Sequence, residues 1–460
     1  MKPASDSPNP LGTAPLGPLI LKFAVPSIIA MLVGAAYNIT DQIFIGQVVG
    51  MLGNAATNVV FPLVSLSVAL SQMVGVGMAA GFNLSLGARK QGDAQRFVGT
   101  GLTLAALTGL VFTAGVLLFE RPILLLCGAT EHTLPYASEY LSVTVWGMPF
   151  VLFANAVYPI IRADRSPRVA MVSSLVGAAL NVVLDWLFLY PFQLGIRGAA
   201  LATVISQVVS CAVCLAYFPR FKAFPLRRAF LGLRGPFVAD ITKLGTASFA
   251  NHMVMTLLNV VMNNTLAHYG ALSVYGSDIP LAVAGVVAKV NMVMVSLVVG
   301  LAHGCQPILS FNMGAGRYDR VKRTFRLAAV AGLGFSLCAF VLLQAFPRQI
   351  VSIFGAGDPL YYDFAASYLR IFLFMVCLFG IQPLAVNYFT SIGAVKQGIF
   401  LSVSRQGFLL LPLLLLLPRF LGLDGVLWAG PIADFLAVVL SVTMLRRSFR
   451  DLDRLAGQAE

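Results

Sequence analysis

Residues 87–93 form the stretch Gly-Ala-Arg-Lys-Gln-Gly-Asp, and residues 314–319 repeat its pattern as Gly-Ala-Gly-Arg-Tyr-Asp. Each copy follows directly on a long apolar run. Sliding the chain along itself by about 221 to 228 residues aligns other features as well. One match of this kind is weak evidence, but several at nearly the same offset predict an internal duplication. The further aligned pairs are Lys22 with Lys243, Ser27 with Ser248, Asn38 with Asn259, Pro122 with Pro347, Tyr140 with Tyr368, and Gly195 with Gly422.

The regions between the polar loops are apolar enough to lie in a membrane. Of the 460 residues, 58% are hydrophobic and 11% are charged, whereas soluble domains carry roughly 25% charged residues. A membrane-spanning helix needs about 20 apolar residues in a row, whereas the strands of a membrane β-barrel alternate apolar and polar residues. We therefore predict an all-α integral membrane fold with about twelve transmembrane helices in two pseudo-symmetric six-helix bundles. The predicted spans are 19–46, 55–82, 97–119, 134–158, 169–190, 196–218, 240–268, 280–310, 324–346, 361–389, 397–417 and 424–446.

The basic residues indicate the orientation. Loops on the side of the N-terminus, together with the span ends that adjoin them, hold 24 of the 31 Lys and Arg residues, and the opposite loops hold four. This bias predicts a multi-pass protein of the bacterial inner membrane with both termini in the cytoplasm. It also explains the net charge of +13 without a nucleic-acid partner. The remaining three basic residues lie within predicted spans: Lys289, Arg370 and Arg405.

The predicted domain organisation follows from the spans. It comprises a disordered cytoplasmic tail rich in Pro, Gly and Ser (1–18), an N-lobe (19–218), a basic cytoplasmic inter-lobe loop (219–239), a C-lobe (240–446) and a cytoplasmic tail (447–460). Each lobe contains an even number of spans, so both insert with the same orientation as parallel repeats. In transporters such repeats place the substrate between the halves. The duplication therefore favours a transporter over a channel, which usually repeats as separate subunits.

The repeated loop motifs at 87–93 and 314–319, together with Pro26 and the stretch Gly195–Thr203, resemble the multidrug and toxic compound extrusion (MATE) family. The resemblance covers nearly the whole chain. It implies export of amphiphilic, mostly cationic compounds in exchange for Na⁺ or H⁺, by alternating access between the two lobes. We expect small-molecule substrates, the lipid bilayer as surroundings and a monomer. The sequence does not decide between the two ions.

Carboxylates inside predicted spans are the candidate ion ligands, because a charged side chain at mid-membrane needs a functional reason. Asp41 lies in span 1 and Asp185 in span 5, with Asn181 one helical turn before Asp185. Two carboxylates with amide and hydroxyl oxygens suit a hard cation, and they also suit a shared proton. The alternative is that both acids cap helix ends near the outer interface. The resemblance implies that one branch of the MATE family binds its cation with residues that match Asp41, Asn181, Asp185 and Thr203.

The resemblance also implies that another branch uses acids in spans 7 and 10, but here span 7 has no carboxylate beyond Asp240 at its first residue, and span 10 has only Asp363 at its edge. In the C-lobe, Lys289 and Asp434 are the buried charges, and we expect them to form a structural pair. A substrate-facing Lys289 is the alternative. Arg405 is expected to extend toward the cytoplasmic interface.

Pro26 removes a backbone hydrogen bond from span 1 and is a candidate conformational switch, with a static kink as the alternative. Tyr37, Asn38 and Asn155 are candidate substrate-binding residues of a large, mainly apolar cavity. No nucleophile–base motif, phosphate-binding loop or metal motif is present in the sequence, so no enzyme activity and no cofactor beyond the coupling ion are predicted. A flippase for lipid-linked precursors, from the same superfamily, is the competing function.

Overall fold

The computed structural model describes residues 9–49, 51–127, 133–226, 230–276, 278–352 and 359–457. Within these ranges the chain folds into helices and contains no β-strand. The helices are α1 (Pro10–Thr13), α2 (Leu16–Val48), α3 (Met51–Gly87), α4 (Gln91–Leu118), α5 (Glu120–Leu126), α6 (Leu134–Thr144), α7 (Met148–Ala163), α8 (Pro167–Leu189), α9 (Gly195–Tyr217), α10 (Gly235–Ala271), α11 (Asp278–Gly314), α12 (Tyr318–Ala345), α13 (Pro347–Ser352), α14 (Pro359–Phe372), α15 (Ile381–Ser391), α16 (Val395–Val403), α17 (Leu411–Leu421) and α18 (Leu423–Gly457).

The structure confirms the twelve-helix membrane fold. Each predicted span coincides with one long helix or with two consecutive ones, as in α6–α7, α14–α15 and α16–α17. In the described part of the chain, 11 helices are long and apolar enough to cross a bilayer. The twelfth, α10, spans 37 residues but is less apolar. The polar residues in its middle part include Asn251, His252, Asn259, Asn263 and Asn264.

Each repeated loop motif ends a long helix in the same way. Arg89 and Gly316, at equivalent positions of the repeat, adopt left-handed backbone angles with φ of 60° and 68°. In the first copy the Lys90 amide donates to the Ser85 carbonyl at 2.9 Å, and in the second the Arg317 amide donates to the Asn312 carbonyl at 2.9 Å. These bonds satisfy carbonyls that the helix ends would leave unpaired. The duplication is thus present in backbone geometry as well as in sequence.

Contacts divide the chain into two compact units, Leu21–His252 and Met253–Glu460 together with Met1–Ile20. The divisions therefore fall inside α2 and α10, and the inter-lobe loop groups with the first unit. In that unit, glycines allow α10 to lie directly on α3. A Cβ added to Gly245 would overlap the Met73 carbonyl, and one added to Gly77 would overlap the Ile241 carbonyl. Small residues at such crossings let helix backbones approach closely in membrane proteins.

The prediction of a disordered leader is wrong for the residues that the structure describes. Asn9 caps α1, because its Oδ1 accepts the Leu11 amide at 3.1 Å, and Leu11 is fully buried. Side chains of the second unit then hold three leader carbonyls. The Asn312 amide donates to Leu11 O at 2.9 Å, the Arg320 guanidinium donates to Ala14 O at 2.8 Å, and Arg317 donates to Gly12 O. Residues 1–8 lie outside the described part of the chain.

A buried carboxylate fixes the start of the inter-lobe loop to the first unit. Asp164, directly after α7, accepts hydrogen bonds from the Tyr217 hydroxyl at 2.5 Å and from the amides of Lys222 at 2.6 Å and Ala223 at 2.8 Å. Burial raises the pKa of Asp164 above its ordinary value, and these hydrogen bonds act in the opposite direction. The loop is thereby attached to the end of α7.

Candidate functional site

Helices α8 and α9 form a tightly packed pair that carries three of the four predicted ion ligands. The Ser173 hydroxyl of α8 donates to the Ser210 carbonyl of α9 at 2.8 Å, and Ser210 Oγ donates to the Ser173 carbonyl at 3.3 Å. Gly177 lies one turn further along α8 and is in contact with Ser210. These contacts fix the rotation of α8 against α9. They bring the face that carries Asn181 and Asp185 next to Thr203.

The structure places all four predicted ligands in one cluster of the first unit. Asn181 and Thr203 meet across α8 and α9, with Asn181 Nδ2 3.5 Å from Thr203 Oγ1. The carboxyl groups of Asp41, on α2, and Asp185, on α8, lie within hydrogen-bonding reach of each other when one is protonated. The cluster therefore joins three helices, α2, α8 and α9, through oxygen-bearing side chains.

The cluster contains buried oxygen atoms that accept no hydrogen bond from any described residue: Asp41 Oδ1, Asn181 Oδ1 and both carboxylate oxygens of Asp185. Asp185 is 0% exposed and Asn181 is 2% exposed. Among the described residues, no ion pair includes either aspartate. Ionised carboxylates can only accept, so two facing carboxylates require a proton or a cation between them. Full burial of Asp185 also argues against the alternative of a surface cap.

Tyr140 of α6 is a member of the cluster that the sequence analysis did not select. Its hydroxyl lies within hydrogen-bonding reach of the Thr203 side chain, and it interacts electrostatically with Asp41 and Asp185. Tyr140 is 9% exposed. The one available signal was its alignment with Tyr368 in the repeat, which did not indicate where its hydroxyl lies.

The predicted substrate-binding residues do not form one group with each other. Tyr37 lies one helical turn before Asp41, interacts with it electrostatically and contacts the Asn38 side chain. Asn38 is exposed, and its amide donates to the Gly34 carbonyl at 2.7 Å. Asn155 is half-buried on α7. Tyr37 thus adjoins the ion cluster, and the substrate role of all three residues stays a prediction.

Pro26 is buried within α2, which continues through it as one helix from Leu16 to Val48. Proline has no amide hydrogen, so one carbonyl of the preceding turn lacks its usual helical donor. The adjacent Ser27 hydroxyl donates to the Phe23 carbonyl at 2.9 Å and is itself buried. The same helix carries Asp41 toward its other end. Pro26 therefore weakens α2 without breaking it.

The structure corrects the predicted partner of Asp434. Arg405 Nε donates to Asp434 Oδ1 at 2.5 Å, with the two side chains 18% and 10% exposed. Arg405 also lies over the ring of Phe379, 5.3 Å from its centroid. It belongs to a π-helical turn, Ser404–Leu410, so it points into the second unit instead of extending to the cytoplasmic interface. Lys289, the predicted partner, is half-buried on α11.

The ligand types in the first-unit cluster suit a hard monovalent cation or a proton. They comprise two carboxylates, an amide oxygen and a hydroxyl, and such oxygen ligands are the ones that hard cations prefer. No group of three or more His, Cys, Asp or Glu side chains that could hold a metal ion occurs in the described ranges. The acidic part of the cluster is thus limited to the Asp41–Asp185 pair. One cation or one proton would leave the pair with at most one net negative charge.

The fold and the buried acid pair define a multi-pass helical membrane protein with a polar cluster inside one bundle. The profile of the family described as MatE matches residues 26–187 and 248–416, one stretch in each half of the repeat. The chain therefore belongs to the MatE family of membrane transporters, which confirms the resemblance seen in the sequence.

Individual relatives agree with this family. The chain is 25% identical over 440 residues to the multidrug export protein MepA of Staphylococcus aureus, covering 94% of this chain and 95% of that protein. The MATE multidrug transporter DinF-BH, solved as a ligand complex, is 32% identical, with a TM-score of 0.88 over 97% of this chain and 98% of that one. An outward-facing MATE family transporter of the MOP superfamily shares the fold, with a TM-score of 0.90 at 21% identity over 98% of this chain and 100% of that one.

Proposed function

We propose that the chain is a secondary active antiporter that exports amphiphilic, mostly cationic compounds in exchange for Na⁺ or H⁺. The supporting observation is the Asp41–Asp185 pair, whose buried oxygens have no donor among the described residues. The names of two relatives support the proposed class of substrates, since MepA is named for multidrug export and DinF-BH for multidrug transport. The substrates are small molecules that enter from the bilayer or the cytoplasm.

Ion binding at the cluster supplies the driving force in this proposal. Bringing the two ionised carboxylates together is unfavourable, because like charges repel and neither is solvated by water. A bound Na⁺ or a shared proton relieves the repulsion and allows α2 to pack against α8 and α9. Loss of the ion separates the helices again. A ligand shifts a conformational equilibrium only by its differential affinity for the two states, and the pair provides such a difference.

Alternating access connects this local change to transport. The two halves are parallel repeats, an arrangement in which one lobe rocks against the other around a site near mid-membrane. α2 is suited to transmit the change, because it carries Asp41 and is weakened at Pro26. In the proposed orientation both termini are cytoplasmic in the bacterial inner membrane, and the ion enters from the outer side. The protein acts as a monomer.

The experiment is dye efflux from vesicles that contain the purified protein. An inward Na⁺ gradient and an inward H⁺ gradient are imposed separately, and the release of a cationic dye is followed for the wild type, Asp41→Asn and Asp185→Asn. Asp240→Asn is the matched control, because Asp240 is an exposed carboxylate at the start of α10. The proposal requires gradient-dependent efflux in the wild type and the control, and its loss in both cluster variants. Dye efflux at the same rate with and without each ion gradient would indicate a passive channel.

A further inference from the structure

A polar groove opens on the second unit between the end of α12, α13 and α14. Its volume is about 560 Å³, and its charged lining residues are Arg348, Asp363 and Arg370. Gln349 and Ser367 add polar groups to its wall. A second pocket of about 450 Å³ adjoins it and shares Arg348, Gln349 and Asp363. The groove lies far in sequence from the ion cluster and belongs to the other unit.

One face of α14 forms a polar stripe along this groove. Asp363, Ser367 and Arg370 are spaced by four and three residues, which places them on the same side of a helix. All three are exposed, whereas Phe364 and Tyr368 of the same helix are buried. The stripe begins near the first turn of α14 and continues into the candidate membrane span Pro359–Leu378. Arg370 lies about 16 Å along the helix axis from Pro359.

The charges in the groove do not balance. Arg348 Nη2 pairs with Asp363 Oδ1 at 2.5 Å. The Arg370 guanidinium takes part in none of the ion pairs or side-chain hydrogen bonds between described residues, while the Arg370 carbonyl accepts from the Gln344 side chain at 2.9 Å. Among the described residues that line the groove, two guanidinium groups therefore face one carboxylate. A charged side chain within a membrane span is unfavourable unless it meets a partner or reaches the interface.

Apolar side chains at neighbouring chain positions are exposed, as is typical of a lipid-facing surface. Phe346 precedes the α13 wall of the groove, Leu360 lies in the first turn of α14, and Phe374 follows its end. Their exposed fractions are 49%, 41% and 45%. A ligand with an anionic head and apolar chains could therefore contact the arginines and this surface together. Free phosphate would use only the arginines.

We propose that this groove binds the phosphate of a phospholipid from the outer leaflet, with Arg370 and Arg348 as the phosphate ligands. The planar guanidinium fork matches phosphate oxygens in a bidentate arrangement, which gives stronger and more directional hydrogen bonds than a neutral donor. Ser367 and Gln349 supply further hydrogen-bond donors beside it. The acyl chains lie along Phe346, Leu360 and Phe374. The bound lipid then neutralises Arg370 inside the span.

The test counts phospholipids on the purified, delipidated full chain in detergent. Dioleoyl phosphatidylglycerol is titrated, and bound lipid is measured by native mass spectrometry. Arg370→Gln is compared with Arg121→Gln, which removes an exposed arginine on the same predicted side but in the other unit. Ser367→Trp provides a second variant, because it fills the groove from an exposed position and leaves the charges in place.

The expected result is one lipid bound more tightly than the rest, with affinity reduced roughly tenfold or more in Arg370→Gln because a charge-assisted contact is lost. Ser367→Trp loses the same lipid, and Arg121→Gln retains it. If Arg370→Gln does not fold, the Ser367→Trp result decides. Equal lipid retention in the wild type and Ser367→Trp overturns the proposal. Displacement of the lipid by an equal concentration of inorganic phosphate also overturns it, since the groove would then be a site for free anions.

Discussion

Replacing Asp185 by asparagine should stabilise the ion-free protein while it abolishes transport. In the wild type, both carboxylate oxygens of Asp185 and Oδ1 of Asp41 are buried without a donor. An asparagine amide has nearly the same shape, removes one of the two charges and can donate to Asp41 Oδ1. Leaving a buried acceptor unsatisfied costs about 1–3 kcal/mol, and more for a charged group. Asp185→Asn should therefore be more stable by about 1–3 kcal/mol when the wild-type pair is ionised and no Na⁺ is present.

The stabilisation must depend on pH and on Na⁺. When the pH falls, the wild-type pair takes up a proton, which then bridges the two carboxyl groups as the amide does in the variant. Added Na⁺ relieves the same repulsion if it is the coupling ion. The advantage of Asp185→Asn is thus largest in alkaline, Na⁺-free buffer and disappears as either ion is supplied.

Unfolding can be followed as an increase in labelling by a thiol-reactive fluorescent dye, because Cys211, Cys214 and Cys305 are buried free thiols, whereas the exposed Cys338 reacts in the folded protein and sets the baseline. Thermal unfolding of the wild type, Asp185→Asn and the exposed control Asp240→Asn is compared over a range of pH, with and without Na⁺. The reasoning is refuted if Asp185→Asn is less stable than the wild type in alkaline, Na⁺-free buffer. It is also refuted if the difference between them is the same under every condition.

Three further predictions concern contacts inside each of the two units. Arg405→Met should destabilise the second unit by about 3–5 kcal/mol, because it leaves Asp434 buried and unpaired. The double variant Arg405→Met with Asp434→Leu should recover most of this loss. Thermal unfolding of both single variants and the double variant is compared, and additive effects would contradict the pairing. Asp164→Asn should loosen residues 220–224 at a cost of about 1–3 kcal/mol, because an asparagine amide has one acceptor oxygen and cannot satisfy all three donors that the carboxylate satisfies. The measurement is trypsin cleavage after Arg220 and Lys222, with Asp93→Asn as the control. Unchanged cleavage in Asp164→Asn would contradict the prediction. Arg320→Ala should speed amide hydrogen exchange of residues 11–14, because a leader carbonyl loses its donor. Arg323→Ala is the control, and equal exchange in both variants would contradict the leader contact.

The positions of the helices could be predicted from the sequence, because apolar runs of about 20 residues and basic loops are read directly along the chain. The pairing of Asn181 with Asp185 could also be predicted, since a spacing of four residues places two side chains on one helical face. The ligand role of Thr203 is implied by the family resemblance, and the Ser173–Ser210 contacts explain why it meets Asn181. The functional role of these residues stays a prediction.

Features that depend on the rotation of one helix against another could not be predicted. Tyr140 joins the cluster only because α6 presents its hydroxyl to Thr203, which no spacing in the chain encodes. Arg405 meets Asp434 because a π-helical turn changes its direction, and an ideal helix would have placed it elsewhere. The order in the leader could not be predicted for a different reason. Its Pro, Gly and Ser content suggests disorder, but Asn9 caps a short helix whose carbonyls bind distant arginines.

The central claim is that Asp41 and Asp185 bind the coupling ion, and infrared difference spectroscopy measures this at the carboxyl groups themselves. Spectra of the purified protein are recorded while the pH is lowered without Na⁺, and again while Na⁺ is added at fixed pH. Other carboxyl groups also protonate at low pH, so the account predicts that one part of the protonated-carboxyl carbonyl signal is present in the wild type and in Asp240→Asn, and missing from the double variant Asp41→Asn with Asp185→Asn. If Na⁺ is coupled, it should remove that signal. The same spectral change in the wild type and in the double variant would contradict the claim.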